Sequence, residues 1–247
     1  MNDQTLLIVG ATSSMARALA ALAAGAGARL HLAARDAVEV ERLAADLRVR
    51  YSAEVSWDPF EAEDYAAHAD VVRRAREAMG GLDGVIVSMG SLGDQEEAQQ
   101  DFEKALSVIH ANYTGAASLL THAANYLEAQ QSGFIIGISS VAGDRGRQSN
   151  YVYGSAKGAF SLFLQGLRNR LAGSGVHVMT VKPGFVDTKM TFGKPGLFLV
   201  ASPEKVARDI VKALGKRRDV VYTPWFWSLV MRLVRAVPER IFKKMSL

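Results

Sequence analysis

The 247 residues include no cysteine, which excludes disulfides, a thiolate zinc site and a cysteine nucleophile. Histidine is scarce: His31, His68, His110, His122 and His177 lie far apart and lack metal-ligand spacing, so no metal is expected. No run of 18 apolar residues occurs, so no spanning helix is indicated. The opening Met-Asn-Asp-Gln has no basic region before its apolar run, unlike a secretory leader, and the expected location is cytoplasmic. No linker rich in Pro, Ser or Gly, no repeat and no low-complexity tract interrupts the chain, so residues 1–247 are expected to form one domain. With 49% hydrophobic and 22% charged residues, the composition is that of a globular protein, not of a disordered, collagenous or coiled-coil chain.

Acidic excess is also missing where the chain is basic. Residues 1–211 carry a net charge of −3 and residues 212–247 a net charge of +7. Such a tail suits anionic lipid, nucleic acid or a charged partner, or simply a solvated helix face. No nucleic-acid reading module accompanies it, so nucleic acid is not an expected partner.

Short apolar runs alternate with amphipathic ones. Strands are expected at Thr5–Val9, Arg29–Ala33, Glu54–Trp57, Gly84–Val87, Phe134–Ile138, Val176–Val181 and Val220–Tyr222. Helices are expected at Ser14–Ala24, Ala37–Arg48, Tyr65–Ala78, Tyr153–Leu171 and Pro203–Leu214, with one long helix through most of Phe102–Glu128. This alternation predicts a doubly wound, three-layer α/β fold of the Rossmann type, with a mainly parallel seven-stranded sheet and right-handed crossovers. Ligands of such folds bind beyond the carboxyl ends of the strands, where the strand order reverses.

Three features fall there. The first strand runs into Gly10-Ala-Thr-Ser-Ser-Met-Ala16, where Gly10, Thr12, Ser13, Ser14 and Met15 could present backbone N–H groups to a pyrophosphate at a helix N-terminus. Only the first position is glycine, and a tight turn capped by Ser is the alternative reading. The second strand ends at Ala33-Ala34-Arg35, without the acidic residue that would hold a ribose 2′-hydroxyl. Arg35 favours a 2′-phosphate, hence NADP(H), and leaves NAD(H) open, because Asp36 could pair with Arg35 or cap the next helix. Lastly, Ser140, Tyr153 and Lys157 stand 13 and 4 residues apart, with Ser140 at a strand end and the Tyr-x3-Lys pair on one helix face. Hydride reduction of a ketone creates an alkoxide that needs a proton. A tyrosine can supply it if a neighbouring ammonium favours its ionised form, and a serine hydroxyl can hold the carbonyl oxygen.

With these motifs the chain resembles the short-chain dehydrogenase/reductase family over essentially all its length, matching it at Gly10, Asn112, Ser140, Tyr153 with Lys157, and Pro183-Gly184. The resemblance implies a catalytic set of Asn112, Ser140, Tyr153 and Lys157, with Asn112 anchoring a water that links Lys157 to solvent. It also implies cofactor contacts at Asp58, Pro59, Gly90, Pro183, Gly184, Val186 and Thr188. Three departures stand out. The turn lacks its second and third glycines, Ser88 replaces a structural Asn, and Pro59 has no N–H to give adenine. A narrower similarity, at Gly90–Asp94, Asn112–Thr114, Ser139–Arg147, Val221–Pro224 and the Pro238…Lys244 ending, is to polyprenylphosphoryl 2-keto-pentose reductases. It implies a ketone on a lipid-linked sugar. A general reductase of lipophilic ketones or secondary alcohols, or a dinucleotide-binding regulator without turnover, are the alternatives.

Arg145 and Arg147, in the loop after Ser140, could hold a substrate phosphate or merely sit in a surface loop paired with carboxylates. The segment 189–202 is the family's substrate lid by resemblance. Its Met190, Phe192, Leu197 and Phe198 suit an apolar substrate portion, or core packing. Within the tail, residues 225–247, Ser228, Arg232, Arg235 and Glu239 share one helical face, as in a helix at a membrane interface or one packed on protein. A homodimer or homotetramer through the long helices is implied by resemblance.

Overall fold

The computed structural model describes residues 2–191 and 199–245. In chain order the strands are β1 (Thr5–Val9), β2 (Arg29–Ala34), β3 (Val55–Pro59), β4 (Gly84–Val87), β5 (Phe134–Ile138), β6 (His177–Pro183) and β7 (Val220–Thr223). The helices are α1 (Ser14–Gly25), α2 (Ala37–Tyr51), α3 (His68–Met79), α4 (Gln95–Ala98), α5 (Phe102–Ile109), α6 (Gly115–Gln130), α7 (Tyr151–Leu171), α8 (Pro203–Gly215), α9 (Trp227–Ala236) and α10 (Glu239–Phe242). The seven strands pair in the order β3-β2-β1-β4-β5-β6-β7, every pair parallel. The predicted architecture is therefore the observed one, with the order reversing between β1 and β4.

Strand periodicity builds the two faces. Leu6 and Ile8 point to a core shared with α1, α2 and α8; Leu7 and Val9 point to one shared with α3, α6 and α7. All four are fully buried, each contributing about 1.5–3 kcal/mol by transfer from water. Helix starts follow capping chemistry. Asp36 accepts from Glu39 N (3.0 Å) to start α2, and Ser202 accepts from Lys205 N (3.2 Å) ahead of Pro203 in α8.

The expected long helix over 102–128 is two helices, α5 and α6, joined by a π-helical turn at His110–Thr114. The cause lies in one side chain. Asn112 Nδ2 donates to Val108 O (2.8 Å), the carbonyl that its own backbone N–H would take in a regular α-helix. The short α4, capped by Asp94, was not expected from periodicity.

Candidate active site

The turn after β1 is shaped by Gly10, which has φ +73°. A Cβ there would stand 2.6 Å from Ser88 O and 2.7 Å from Met89 N, so the backbones at the ends of β1 and β4 approach as only glycine allows. Ser13 caps α1 by accepting from Ala16 N, and its hydroxyl bonds that of Ser88 (2.9 Å). Ser88 thus ties β4 to this turn, and the buried Ala16 packs α1 onto the sheet. Thr12, Ser14 and Met15 lie in the same turn and first helical turn, at the crevice.

At the end of β2, Asp36 is the α2 cap and not a partner of Arg35. Arg35 is exposed and forms no ion pair among the described residues. Asp58 lies in β3 opposite Ala33. Its Oδ2 accepts from Arg74 Nε (2.7 Å) and stands 3.2 Å from His31 Nε2. Burial lowers the pKa of His31 despite that carboxylate, so the ring is neutral near pH 7 and the Arg74 guanidinium is the charge that Asp58 meets. Pro59 ends β3, and Phe60 N bonds Ala34 O (2.9 Å) instead of pointing into the crevice.

The structure brings Asn112, Ser140, Tyr153 and Lys157 together. Ser140 follows β5 and accepts from Ala142 N (3.1 Å), and its hydroxyl lies close enough to the Tyr153 phenol to influence its titration. Ser139, which sequence reasoning did not single out, donates to Lys157 O (2.9 Å) and pairs with Ser161 (2.7 Å). It fixes α7 against the strand end and so sets the height of Tyr153 and Lys157. Lys157 is buried, and Nζ donates to Ile138 O (3.1 Å) and Met89 O (3.2 Å). Burial pushes its pKa down to about 8. Burial pushes the Tyr153 phenol up, and the Ser140 hydroxyl offsets part of that. The expected lowering of the tyrosine by the lysine is thus not what the protein alone gives. The ammonium is engaged with two carbonyls and is itself partly destabilised. Asn112 is buried, and Nδ2 bonds Ser91 O (2.6 Å) and Val108 O, while Oδ1 has no partner. A Cβ on Gly90 would lie 2.3 Å from Asn112 Oδ1 and 3.2 Å from Lys157 Nζ, so these two groups meet on the side of Gly90 that a side chain would fill.

The loop after Ser140 separates its two arginines. Arg145 is not free for a substrate. It donates to Val234 O (2.6 Å), Val237 O (2.7 Å), Arg235 O (3.2 Å) and Glu239 Oε2 (3.0 Å), and lies 3.7 Å from the Phe242 ring centroid. It is the C-terminal cap of α9, because a guanidinium fork matches the unpaired carbonyls that end a helix. Arg147 differs. Its Nε is buried without a partner, and burial holds its pKa below the ordinary range with no carboxylate to offset it. Gln95 Nε2 and Asn150 Oδ1 are likewise buried and unpartnered at the start of α7. Asp144 is held by Lys182 and Tyr222 (Oη to Oδ2, 2.7 Å), which joins the Ser140 loop to β6 and β7.

Pro183 ends β6, and Gly184 lies against Trp227; a Cβ there would be 1.9 Å from the indole Nε1. Val186 pairs with Ala201 in an isolated parallel bridge, closing the base of the expected lid. Thr188 N bonds Thr191 Oγ1 (3.1 Å), and Met190 is partly exposed. Phe192, Leu197 and Phe198 lie outside the described residues. The tail packs on the protein through one face: Trp227 and Met231 cover Val141, beside Ser140. Among the described residues no helix is long and apolar enough to cross a membrane.

A parallel seven-stranded sheet whose order reverses between β1 and β4, and a Ser-Tyr-Lys-Asn cluster beyond its strand ends, define an oxidoreductase on a dinucleotide-binding fold. The sequence profile of the short chain dehydrogenase family matches residues 4–194, and the chain belongs to that family. It is 36% identical over 240 residues to an uncharacterized oxidoreductase of Mycobacterium tuberculosis, covering 97% of this chain and 96% of the relative. To an uncharacterized oxidoreductase of Streptomyces coelicolor it is 37% identical over 247 residues, covering 98% and 96%. Among solved structures, a short-chain dehydrogenase from Sphingobium yanoikuyae in complex with NADPH aligns with a TM-score of 0.80 at 24% identity, over 98% of this chain and 96% of the other.

Proposed function

We propose that the chain reduces a ketone with NADP(H), with Tyr153 as the general acid, and that its substrate is a 2-keto sugar carried on a lipid phosphate. The buried Tyr153 phenol beside Ser140, with Lys157 buried behind them, is the observation that carries the reading. The residues present fit a dinucleotide. Gly10 lets the turn after β1 approach the end of β4, Arg35 stands exposed and without an ion pair among the described residues, and the unpartnered Asn112 Oδ1 lies with Lys157 Nζ on one side of Gly90. Gly10, Thr12, Ser13, Ser14 and Met15 would cradle the pyrophosphate and Arg35 the 2′-phosphate. Asp58 and Pro59 would border adenine, and Gly90, Pro183, Gly184, Val186 and Thr188 would line the nicotinamide end.

The cofactor supplies the hydride. Ser140 and Tyr153 hold the carbonyl oxygen, and Tyr153 gives its phenolic proton as charge builds there. The Lys157 ammonium favours the resulting tyrosinate, and Asn112 Oδ1 accepts from the water that returns the proton. Arg147 is assigned to the substrate phosphate. Phe102 and Leu162, both about two-thirds exposed on the outer faces of α5 and α7, support homo-oligomerisation through those helices. Peripheral membrane contact would suit a lipid-linked substrate.

The test compares NADPH and NADH oxidation by the native chain and Tyr153→Phe, using a short-chain polyprenylphosphoryl 2-keto-pentose. A drop of about 10²–10⁴-fold with NADPH binding retained is expected. Undiminished turnover by Tyr153→Phe would refute the proton role. Turnover of other ketones but not of this one would refute the substrate.

A further inference from the structure

The tail is two-sided. On α9, Trp227 and Met231 are buried and Val230 and Val234 partly so, all on the face that covers Val141, Phe185 and Tyr222. The opposite face carries Leu229 (47% exposed) and Leu233 (72%), continued by Trp225 (70%) before the helix and Ile241 (56%) after it. At 100° per residue, 225, 229 and 233 form one strip and 232 and 235 its flank. Arg232 and Arg235 are exposed along that flank, and Arg240, Lys243 and Lys244 are exposed around α10. The one acidic residue between 225 and 245, Glu239, is bonded to Arg145. An exposed apolar strip ending in a tryptophan, bordered by five cations and, among the described residues 225–245, by no free side-chain carboxylate, has the chemistry of an interfacial helix.

We propose that this face docks on an anionic lipid bilayer. Trp225, Leu229, Leu233 and Ile241 enter the headgroup boundary, and Arg232, Arg235, Arg240, Lys243 and Lys244 meet lipid phosphates. A second copy of this chain fits less well, because two such faces would bring their cations together. The buried face of α9 rests on Val141, next to Ser140, so docking holds the active-site loop close to the bilayer. The inference goes beyond the reductase reading and does not depend on which ketone is reduced.

The test is co-sedimentation of the full chain with vesicles of phosphatidylcholine alone, or of phosphatidylcholine with phosphatidylglycerol at a 7:3 ratio. Binding should be at least tenfold stronger to the anionic vesicles and should be lost in high salt. Leu229→Ser with Leu233→Ser, and separately Arg232→Glu with Arg235→Glu, should each lower it at least tenfold. All four side chains are solvent-facing, so circular dichroism and thermal unfolding should be unchanged. Equal binding to both vesicle types, equal binding by the variants, or no binding by the native chain would overturn the proposal. A fall in assembly mass for the Leu pair, measured by light scattering, would assign the face to a subunit contact instead.

Discussion

Lys157 should cost the folded protein stability at neutral pH, and the cost should be visible as a pH dependence. Its ammonium is buried, has only two carbonyls for partners, and falls from an ordinary 10.5 to about 8. Between those values the unfolded chain holds the proton and the native chain does not, so stability rises with pH across that window. Below pH 8 the penalty is present almost in full, at about 3 kcal/mol. Raising the pH from 7 to 10 should therefore return about 2–3 kcal/mol to the native protein. Lys157→Met keeps the length of the side chain and removes the titration. It also leaves the Met89 and Ile138 carbonyls without a donor, an offset that does not vary with pH. Urea unfolding of both proteins at pH 7, 8, 9 and 10 gives a difference that cancels every other titrating group. That difference should shift by about 2–3 kcal/mol in favour of the native protein as pH rises, or about 5–10 °C in Tm for a chain of this size. Parallel curves would show that the ammonium is solvated, and would refute the account of the site as a place where stability is given up for chemistry.

Two further substitutions probe the framework. Arg145→Ala removes the donor shared by three carbonyls at the end of α9 and the cation over Phe242, which should destabilise by about 2–4 kcal/mol and open residues 237–245 to limited proteolysis. A protease pattern identical to that of the native chain would contradict the capping role. Gly184→Ala drives a methyl into the Trp227 indole, which should shift tryptophan fluorescence and cost about 1–3 kcal/mol; unchanged emission and Tm would mean the contact is loose.

The sheet was legible because each strand is a short apolar run closed by a turn residue, and all seven lie where that pattern puts them. Ends were less legible. α2 runs on to Tyr51 and β3 to Pro59, since the final turns carry exposed or charged residues that periodicity does not count. The pairing of Tyr153 with Lys157 could be read because the two are four apart on one helix, a local relation. What could not be read was non-local. Arg145 and Arg147 look alike in sequence, and what separates them is a helix end about ninety residues downstream. The π-turn is hidden because the Asn112 amide competes with the backbone for Val108 O, a contest that hydrophobic spacing does not register. Ser139 was passed over because nothing in its neighbours announces that its hydroxyl anchors α7.

Arg145 and Trp227 also bear on the order in which the molecule is finished. Ser140, Tyr153 and Lys157 leave the ribosome long before residues 225–245, yet the loop that carries Ser140 is held by Arg145 on the carbonyls at the end of α9 and by Trp227 packed on Val141. The sheet up to β6 can assemble during synthesis, domain-first in the usual way. The loop beside Ser140 cannot take its final shape until α9 has emerged and turned back. A nascent chain stalled before Trp227 would therefore carry every residue of the proposed catalytic set and still lack a settled loop beside Ser140, so the last segment translated acts as the latch on the site.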